Sequence, residues 1–438
     1  MQHDSLDAEL KALIPPDRAP LYEYYKLEFL PDGYPGKRVD GELQAHPIYG
    51  AYLIYDFLRQ YLEKGGEKRY LEAAIMVGDG VLRRLTDVGD CSVFYYEAES
   101  RLSEFGYRFY SALTQARYLN MLTQLGKKSR QERFSIAAER MFRSLQKPVS
   151  EGGVMIETPY GPTVEEYPHE IPLFVQNGWT SAILEMLRYG IAVNNKNAED
   201  FARANLDTFM RLIERFDVPW LCNTRYQLTG FLYGRLLFAS PVSGKACSGT
   251  VTYPTVGRWD ISLTQSGRFH NWFLPGENGA EGFEGRQLKV NLVLSRITDV
   301  NEVELEVELA SPAEGSFQLA KGTYNPLLTA MPSQGWESHG TFSIGAGVSQ
   351  LRFPIDTSSV PLLGYPTNFT KKISGKNRNV YHFLHIRNLE KLHAIIQDPR
   401  LLEWAARWTD YARNWPNLPE YAHPNVELTE VKRQPPVL

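Results

Sequence analysis

The hydrophobic period of this chain changes twice along its length, and those two changes limit its architecture more than any other property. From His46 onward, apolar residues recur at three- and four-residue spacing, the pattern of an amphipathic helix. "HPIYGAYLIYDFLRQYLEKG" closes on Gly65-Gly66, a C-terminal stop, and "KRYLEAAIMVGDGVLRRLTDVGD" reads as its hairpin partner. The same rhythm returns at 107–126 with 130–147 and at 173–190 with 197–216. Near residue 241 the period drops to two, in stretches such as "QLKVNLVLSRI", "EVELEVELA" and "SQLRFPID". Alternation of that kind, with turns rich in Gly, Ser, Thr and Pro, predicts an antiparallel sandwich. Helical patterning then resumes in "VYHFLHIRNLEKLHAIIQ" and "PRLLEWAARWTDYARNW". The chain is therefore expected to be multidomain α and β, with a β-sandwich module at 241–372 inserted between helices of one α domain. The flanking segments are 1–240 and 373–438, and residues 1–45 and the tail after Pro416 read as irregular. Stacked hairpins of this length fit either a helical solenoid or an (α/α) toroid.

A length of 438 residues exceeds what one simple core accommodates. A formal charge of −4 supplies no general attraction for nucleic acid, so an acidic partner would need local arginines and lysines. Three widely spaced cysteines show neither a metal-ligand pattern nor a disulfide framework. The start "MQHDSLDAEL" lacks the features of a signal peptide and no run of 18 apolar residues occurs, so no membrane span is expected and a cytoplasmic location is the default. Aromatic content is 12%, including 25 tyrosines, which suits both half-buried packing and stacking on sugar rings.

Four segments concentrate polar chemistry. In "VEEYPHEIPLFVQNGW", Glu165, Glu166, Tyr167 and His169 gather ahead of a predicted helix, where carboxylates also serve simply to complement the helix dipole. Pro168 forces Tyr167 into an extended conformation, so Glu166 and Tyr167 are expected to point apart, with at most one of the two carboxylates sharing a cleft with Tyr167. In "RNVYHFLHIRNLEKLH", Tyr381, His385 and Asn388 fall on one helix face, with Arg378 a turn earlier. His382 and His385 have no third ligand at metalloprotease spacing, so no metal is expected. In "NTRYQLTGFLYG", Arg225 adjoins Tyr226; in "GYRFYSALTQARYL", Tyr110, Thr114 and Arg117 share a face. Each of these two, alone, reads as a partly exposed aromatic helix.

Together, in this order, the four segments resemble the C-terminal helical region of the D-glucuronyl C5-epimerase family. The motif residues are Tyr110-Ser111-Ala112 with Gln115, Glu165 to Pro168 with Phe174 to Gly178, then Tyr226, then Arg378, Tyr381, His382 and His385. "LLEWAARWTDYA" is also similar to the family's last helix. Two departures stand out. The β module follows Tyr226 instead of preceding the helices, and Asn379-Val380 replaces the family's Trp-Asp. The resemblance implies an incomplete (α/α) toroid of helical hairpins and a cleft for an anionic, uronate-containing polysaccharide such as heparosan. It further implies conversion of D-glucuronate to L-iduronate at C5, with Glu166, Tyr167, Tyr226 and Tyr381 in the reacting positions. Tyr110, Gln115, Asn177, Arg225, Arg378, His382 and His385 form the expected substrate-binding set. No cofactor is implied. The β module has three open roles: walling the cleft, binding glycan, or forming a homodimer.

C5 epimerisation needs two acid/base groups on opposite faces of the sugar and a cation for the enolate. A free tyrosine, pKa about 10, is ionised at only about one part in a thousand at pH 7. Arg225 and Arg378 are the expected activators of Tyr226 and Tyr381. On this reading Glu166 and Tyr381 work from opposite faces, Tyr167 and Tyr226 relay protons or hold substrate, and Arg378 and His385 take the carboxylate. A polysaccharide lyase shares the first proton abstraction, and a non-catalytic glycan-binding protein would use the same tyrosines as platforms.

Overall fold

Helical segments of this chain pair as hairpins because each carries one apolar stripe that its neighbour covers. The computed structural model describes residues 2–103, 107–169, 171–254, 257–260, 282–328 and 333–430. The chain divides into two compact units: the first comprises residues 1–211, 369–417 and 421–438, the second 212–368 and 418–420. The insertion thus begins at Leu212, not at residue 241, and chain returns to the first unit at Phe369.

The helices are α1 (Gln2–Ala12), α2 (Ala19–Tyr24), α3 (Tyr49–Glu63), α4 (Lys68–Leu82), α5 (Ala112–Ser129), α6 (Glu132–Leu145), α7 (Gln176–Val193), α8 (Lys196–Leu212), α9 (Val380–Ile396) and α10 (Pro399–Asn414). Within the first unit α3 packs on α4, α5 on α6 and α9 on α10, while α3, α5, α7 and α9 touch in succession. The members of that row are joined by polar contacts as well as apolar ones. Arg117 of α5 pairs with Glu185 of α7 at 3.1 Å, and Asn120 donates to the same carboxylate at 2.7 Å. Asn388 of α9 donates to the hydroxyls of Thr180 and Ser181 on α7 at 2.9 and 3.0 Å. The polar stripe read on α9 therefore partly serves helix packing. Trp179, central to α7, lies edge-on to Phe209 and donates its indole N–H to Asn205.

The first 45 residues are not irregular. Besides α1 and α2 they form a three-stranded antiparallel sheet of Leu27–Phe29, Pro35–Val39 and Glu42–Ala45. Strands of three to five residues closed by Pro-Asp-Gly and Asp-Gly turns are too short to display a period, which is why the sequence shows only the turns. The tail after Pro416, expected to be irregular, contains a helical turn at Pro419–Tyr421 and a short strand, Val426–Glu427, that pairs in parallel with Lys376–Arg378; residues 431–438 lie outside the described residues.

The second unit holds a seven-stranded sheet: β1 (Thr229–Tyr253), β2 (Gly257–Asp260), β3 (Phe283–Ser295), β4 (Val300–Leu309), β5 (Ala313–Gly322), β6 (Ser333–Ile344) and β7 (Gly347–Asp356). The main path runs β6-β5-β1-β4-β7, and β2 and β3 also pair with β1, all antiparallel. The aromatic segment 223–234 is thus short strand, loop and the start of β1, not helix. β1 serves both halves of the sheet: Gly234–Phe238 pairs with β5 and Gly244–Thr252 with β4. Its register shifts between Leu237 and Val242, where Pro241 has no N–H to give to a ladder. Phe317 of β5 stacks on Phe353 of β7 with centroids 4.5 Å apart, although three strand spacings separate those strands along the sheet. The sheet therefore curls back on itself far enough to bring these two rings together.

Trp179→Ala should cost about 3–5 kcal/mol, since it empties a core site and strands the Asn205 acceptor. Urea unfolding followed by circular dichroism measures it.

Candidate active site

Glu165 and Glu166 are adjacent and both buried, 1% and 8% exposed, yet they do different work. Glu165 accepts hydrogen bonds from the N–H groups of Leu173 and Phe174, at 3.0 and 3.1 Å, and from the Thr163 hydroxyl at 3.2 Å. Its carbonyl also accepts from the Ala112 N–H at the start of α5. Phe174 sits in the left-handed region (φ 55°), a conformation that few non-glycine residues adopt unaided. Glu165 thus ties down the turn that delivers the first residues of α7. Burial raises its pKa to about 7, against the lowering effect of those donors.

Glu166 lies against the first turn of α7. Asn177 donates to it at 3.4 Å, and a Cβ on Gly178 would overlap its carboxylate. The bare backbone at Gly178 is what lets the carboxyl group reach that helix start. Burial again raises the pKa to about 7; hydrogen bonding from Tyr167 lowers it, Glu165 raises it, and Asn177 and the charge of Lys371 lower it. Glu166 and Tyr167 therefore share a hydrogen bond instead of pointing apart, and only Glu166 of the two carboxylates joins Tyr167.

Around this pair stands a wall of tyrosines. Burial, then Glu166, then Tyr381 and Tyr96 hold the Tyr167 phenol well above its usual pKa. Phe109 packs between Tyr96, stacked at 5.1 Å, and Tyr167, edge-on at 6.2 Å. Tyr96 shares a hydrogen bond with Thr114 at 3.0 Å and is likewise raised by burial. His46 stacks on Tyr49 at 3.9 Å and meets Tyr96 edge-on at 5.8 Å; burial lowers its pKa to about 3, so it is neutral. Tyr52, one turn beyond Tyr49 on α3, is raised by burial and then by Tyr25, and it also senses Glu166. Tyr381, at the start of α9, carries the Lys371 ammonium 5.3 Å from its ring centroid. His46, Tyr49, Tyr52, Tyr96 and Lys371 escaped the sequence reading. The only signals were a His-Pro-Ile-Tyr helix start and the excess of tyrosine.

Several expected substrate-binding residues have internal duties. Gln115 accepts from the Phe94 N–H and donates to the Ser92 carbonyl and the Ser144 hydroxyl. The Tyr110 hydroxyl donates to the Ser144 carbonyl. His382 is fully buried, with Nε2 2.8 Å from the Trp408 carbonyl and its ring against Trp415; burial lowers its pKa to about 4. His385 is buried beside Trp408, and burial keeps it neutral. Arg378 is not on the α9 face. Asn379 caps α9 by accepting from the His382 N–H, which leaves Arg378 in the preceding strand, where it donates to the Thr429 carbonyl. Asn177 acts on Glu166. Arg225 and Tyr226 belong to the second unit. There the Arg225 guanidinium donates to the carbonyls of Arg215, Pro361 and Leu363, while the Tyr226 N–H donates to Tyr365. The two arginines expected to activate tyrosines are thus committed to carbonyl oxygens. Among the described residues no group of three or more His, Cys, Asp or Glu could hold a metal, and no helix is long and apolar enough to cross a membrane.

The folded protein keeps protons on Glu165 and Glu166 up to about pH 7, whereas free carboxyls lose theirs near 4.5. Folding takes up protons in that window, so stability should fall as pH rises from 4.5 to 7. Glu166→Gln, which cannot titrate, should shrink that fall, read as a smaller Tm difference between the two ends of the window.

No curated protein matches the chain. The family model described as D-glucuronyl C5-epimerase C-terminus matches residues 88–237, a span that contains Tyr110, Gln115, Glu166, Tyr167, Asn177, Arg225 and Tyr226 but stops short of α9. The buried Glu166–Tyr167 pair lies inside the stretch, residues 88–237, that is similar to the C-terminal region of D-glucuronyl C5-epimerases.

Proposed function

We propose that the protein inverts C5 of D-glucuronate to L-iduronate within an acidic polysaccharide such as heparosan. The similarity of residues 88–237 to the C-terminal region of D-glucuronyl C5-epimerases supports the reaction class. At residue level the single supporting observation is the Glu166 pocket, a buried carboxyl with a pKa of about 7, bonded to Tyr167. A group with that pKa is divided between its two forms at neutral pH and can take a proton as readily as return one. The neighbouring phenols of Tyr167 and Tyr96 are held above their usual pKa by burial, which favours the carboxylate over a phenolate as the base. In the proposed reaction Glu166 takes the C5 proton from one face, and the electron pair moves into the substrate's carboxyl group. Tyr381 then returns a proton to C5 from the opposite face, while Tyr167 remains a phenol that donates to Glu166. The succession α3, α5, α7, α9 fits the inner row of an incomplete (α/α) toroid, the frame on which this site would sit.

Heparosan incubated with the enzyme in deuterated water should gain deuterium at C5 and show iduronate signals by NMR. Tyr381→Phe and Glu166→Gln should each slow label incorporation by about 10²–10⁴-fold; near-normal incorporation in either variant removes that residue from the scheme. With Glu166 as base, kcat/KM should rise with pH through about 7. Chain cleavage with ultraviolet-absorbing unsaturated ends would instead make the protein a lyase.

A further inference from the structure

The reaction above needs a positive charge at the substrate's carboxyl group, and Arg378, the arginine expected there, is hydrogen-bonded elsewhere, as are two other arginines of the helical row. Arg378 donates to the Thr429 carbonyl, and Arg117 and Arg188 both pair with Glu185. Two lysines remain beside the Glu-Tyr pocket. Lys371 lies in the short strand Lys371–Ile373 that precedes α9, with its ammonium over the Tyr381 ring. Lys37 lies in the middle strand of the N-terminal sheet, opposite Leu27 on one side and Gln44 on the other. The two are neighbours in space: α2 packs on the Lys371 strand, and Lys37 feels the charge of Lys371. Both are half-buried, and among the described residues neither has an acidic side chain within ion-pair distance.

Like charges brought together in a half-buried site without a counterion repel and are poorly solvated. Burial first, then Lys26 and Lys371, pull the Lys37 pKa down accordingly. An anion arriving between them removes that penalty.

We infer that Lys371, assisted by Lys37, seats the carboxylate of the reacting uronate, a role that rests on the C5-epimerase reading. The ammonium over Tyr381 sets the carboxylate beside one reacting group, and its charge also reaches the other, Glu166. When the C5–H bond breaks, its proton goes to Glu166 and its electron pair forms the C5=C6 bond of the enolate. The extra charge then falls on the two carboxyl oxygens at Lys371. When C5 is reprotonated, the Tyr381 O–H bond breaks, the enolate becomes an ordinary carboxylate again and the extra negative charge passes to the Tyr381 oxygen; solvent returns a proton to Tyr381 and takes the one held by Glu166. A positive group at this point acts more strongly on the transition state than on the ground state, as catalysis requires. It also selects substrate class, since a neutral hexose has nothing to offer the two ammoniums.

Lys371→Met keeps the length of the side chain and removes its charge; Lys371→Arg keeps the charge. Calorimetry would compare binding of a heparosan oligosaccharide with its carboxyl-reduced counterpart, with circular dichroism confirming that each variant is folded. The wild-type protein should favour the carboxylated ligand by about tenfold or more. Lys371→Met should erase that preference and Lys371→Arg should keep it. A cation that only packs on Tyr381 would leave the preference intact, so retained discrimination in the Met variant overturns the inference, as does its absence in the wild type. In the deuterium assay, Lys371→Met should lose on the order of 100-fold in C5 exchange. If the wild-type protein binds with the expected preference but exchanges no C5 hydrogen, the epimerase reading fails while the carboxylate seat stands.

Discussion

The Glu166 carboxyl group rests on the bare backbone of Gly178, and the chemistry of the pocket depends on that contact. A helix start tolerates negative charge, because unpaired N–H groups and the helix dipole favour it. Burial opposes ionisation, and here it wins, leaving the group close to half-protonated at neutral pH. Glu165, one residue earlier, uses the same burial for a structural end. By capturing the Leu173 and Phe174 N–H groups it stabilises a left-handed Phe174 and so fixes where α7 begins. One glutamate builds the platform and the other occupies it.

The tyrosines around that platform form an environment in which proton position is controlled by desolvation. Tyr52, Tyr96 and Tyr167 are all pushed up by burial, so each stays a neutral phenol and not an anion. His46, neutral for the same reason, adds a flat face to Tyr49 and Tyr96. On the proposed reading, the positive charge that meets the substrate carboxylate comes from lysine. Lysine suits a carboxylate whose charge changes during reaction, because it acts as a compact point charge with no fixed bidentate geometry.

The helical hairpins were legible because each buries one stripe over many residues, long enough for a period of 3.6 to stand out. The alternation in "EVELEVELA" was equally plain, and Val303, Leu305, Val307 and Leu309 do face inward. Short elements were not legible: no strand of the N-terminal sheet is longer than five residues, too few to display a period. The segment 223–234 misled because its aromatics satisfy more than one period, and only pairing with β3 and β5 makes a strand of it. On α9, sequence spacing grouped Arg378 with Tyr381, but the cap at Asn379 starts the helix after Arg378.

The sequence alone determined that helical hairpins flank a β module and that the Glu-Glu-Tyr-Pro segment precedes a helix carrying Asn177 and Gly178. These follow from local periodicity and from backbone limits imposed by proline and glycine. Tertiary structure decided which polar groups are free to act: it committed Gln115, His382 and Arg225 to internal hydrogen bonds and brought His46, Tyr96 and Lys371 to Glu166 and Tyr381. The reason is physical. A side chain's burial and charged neighbours arise from contacts between residues far apart in the chain, and those contacts, not spacing, set whether a carboxyl group holds its proton at neutral pH.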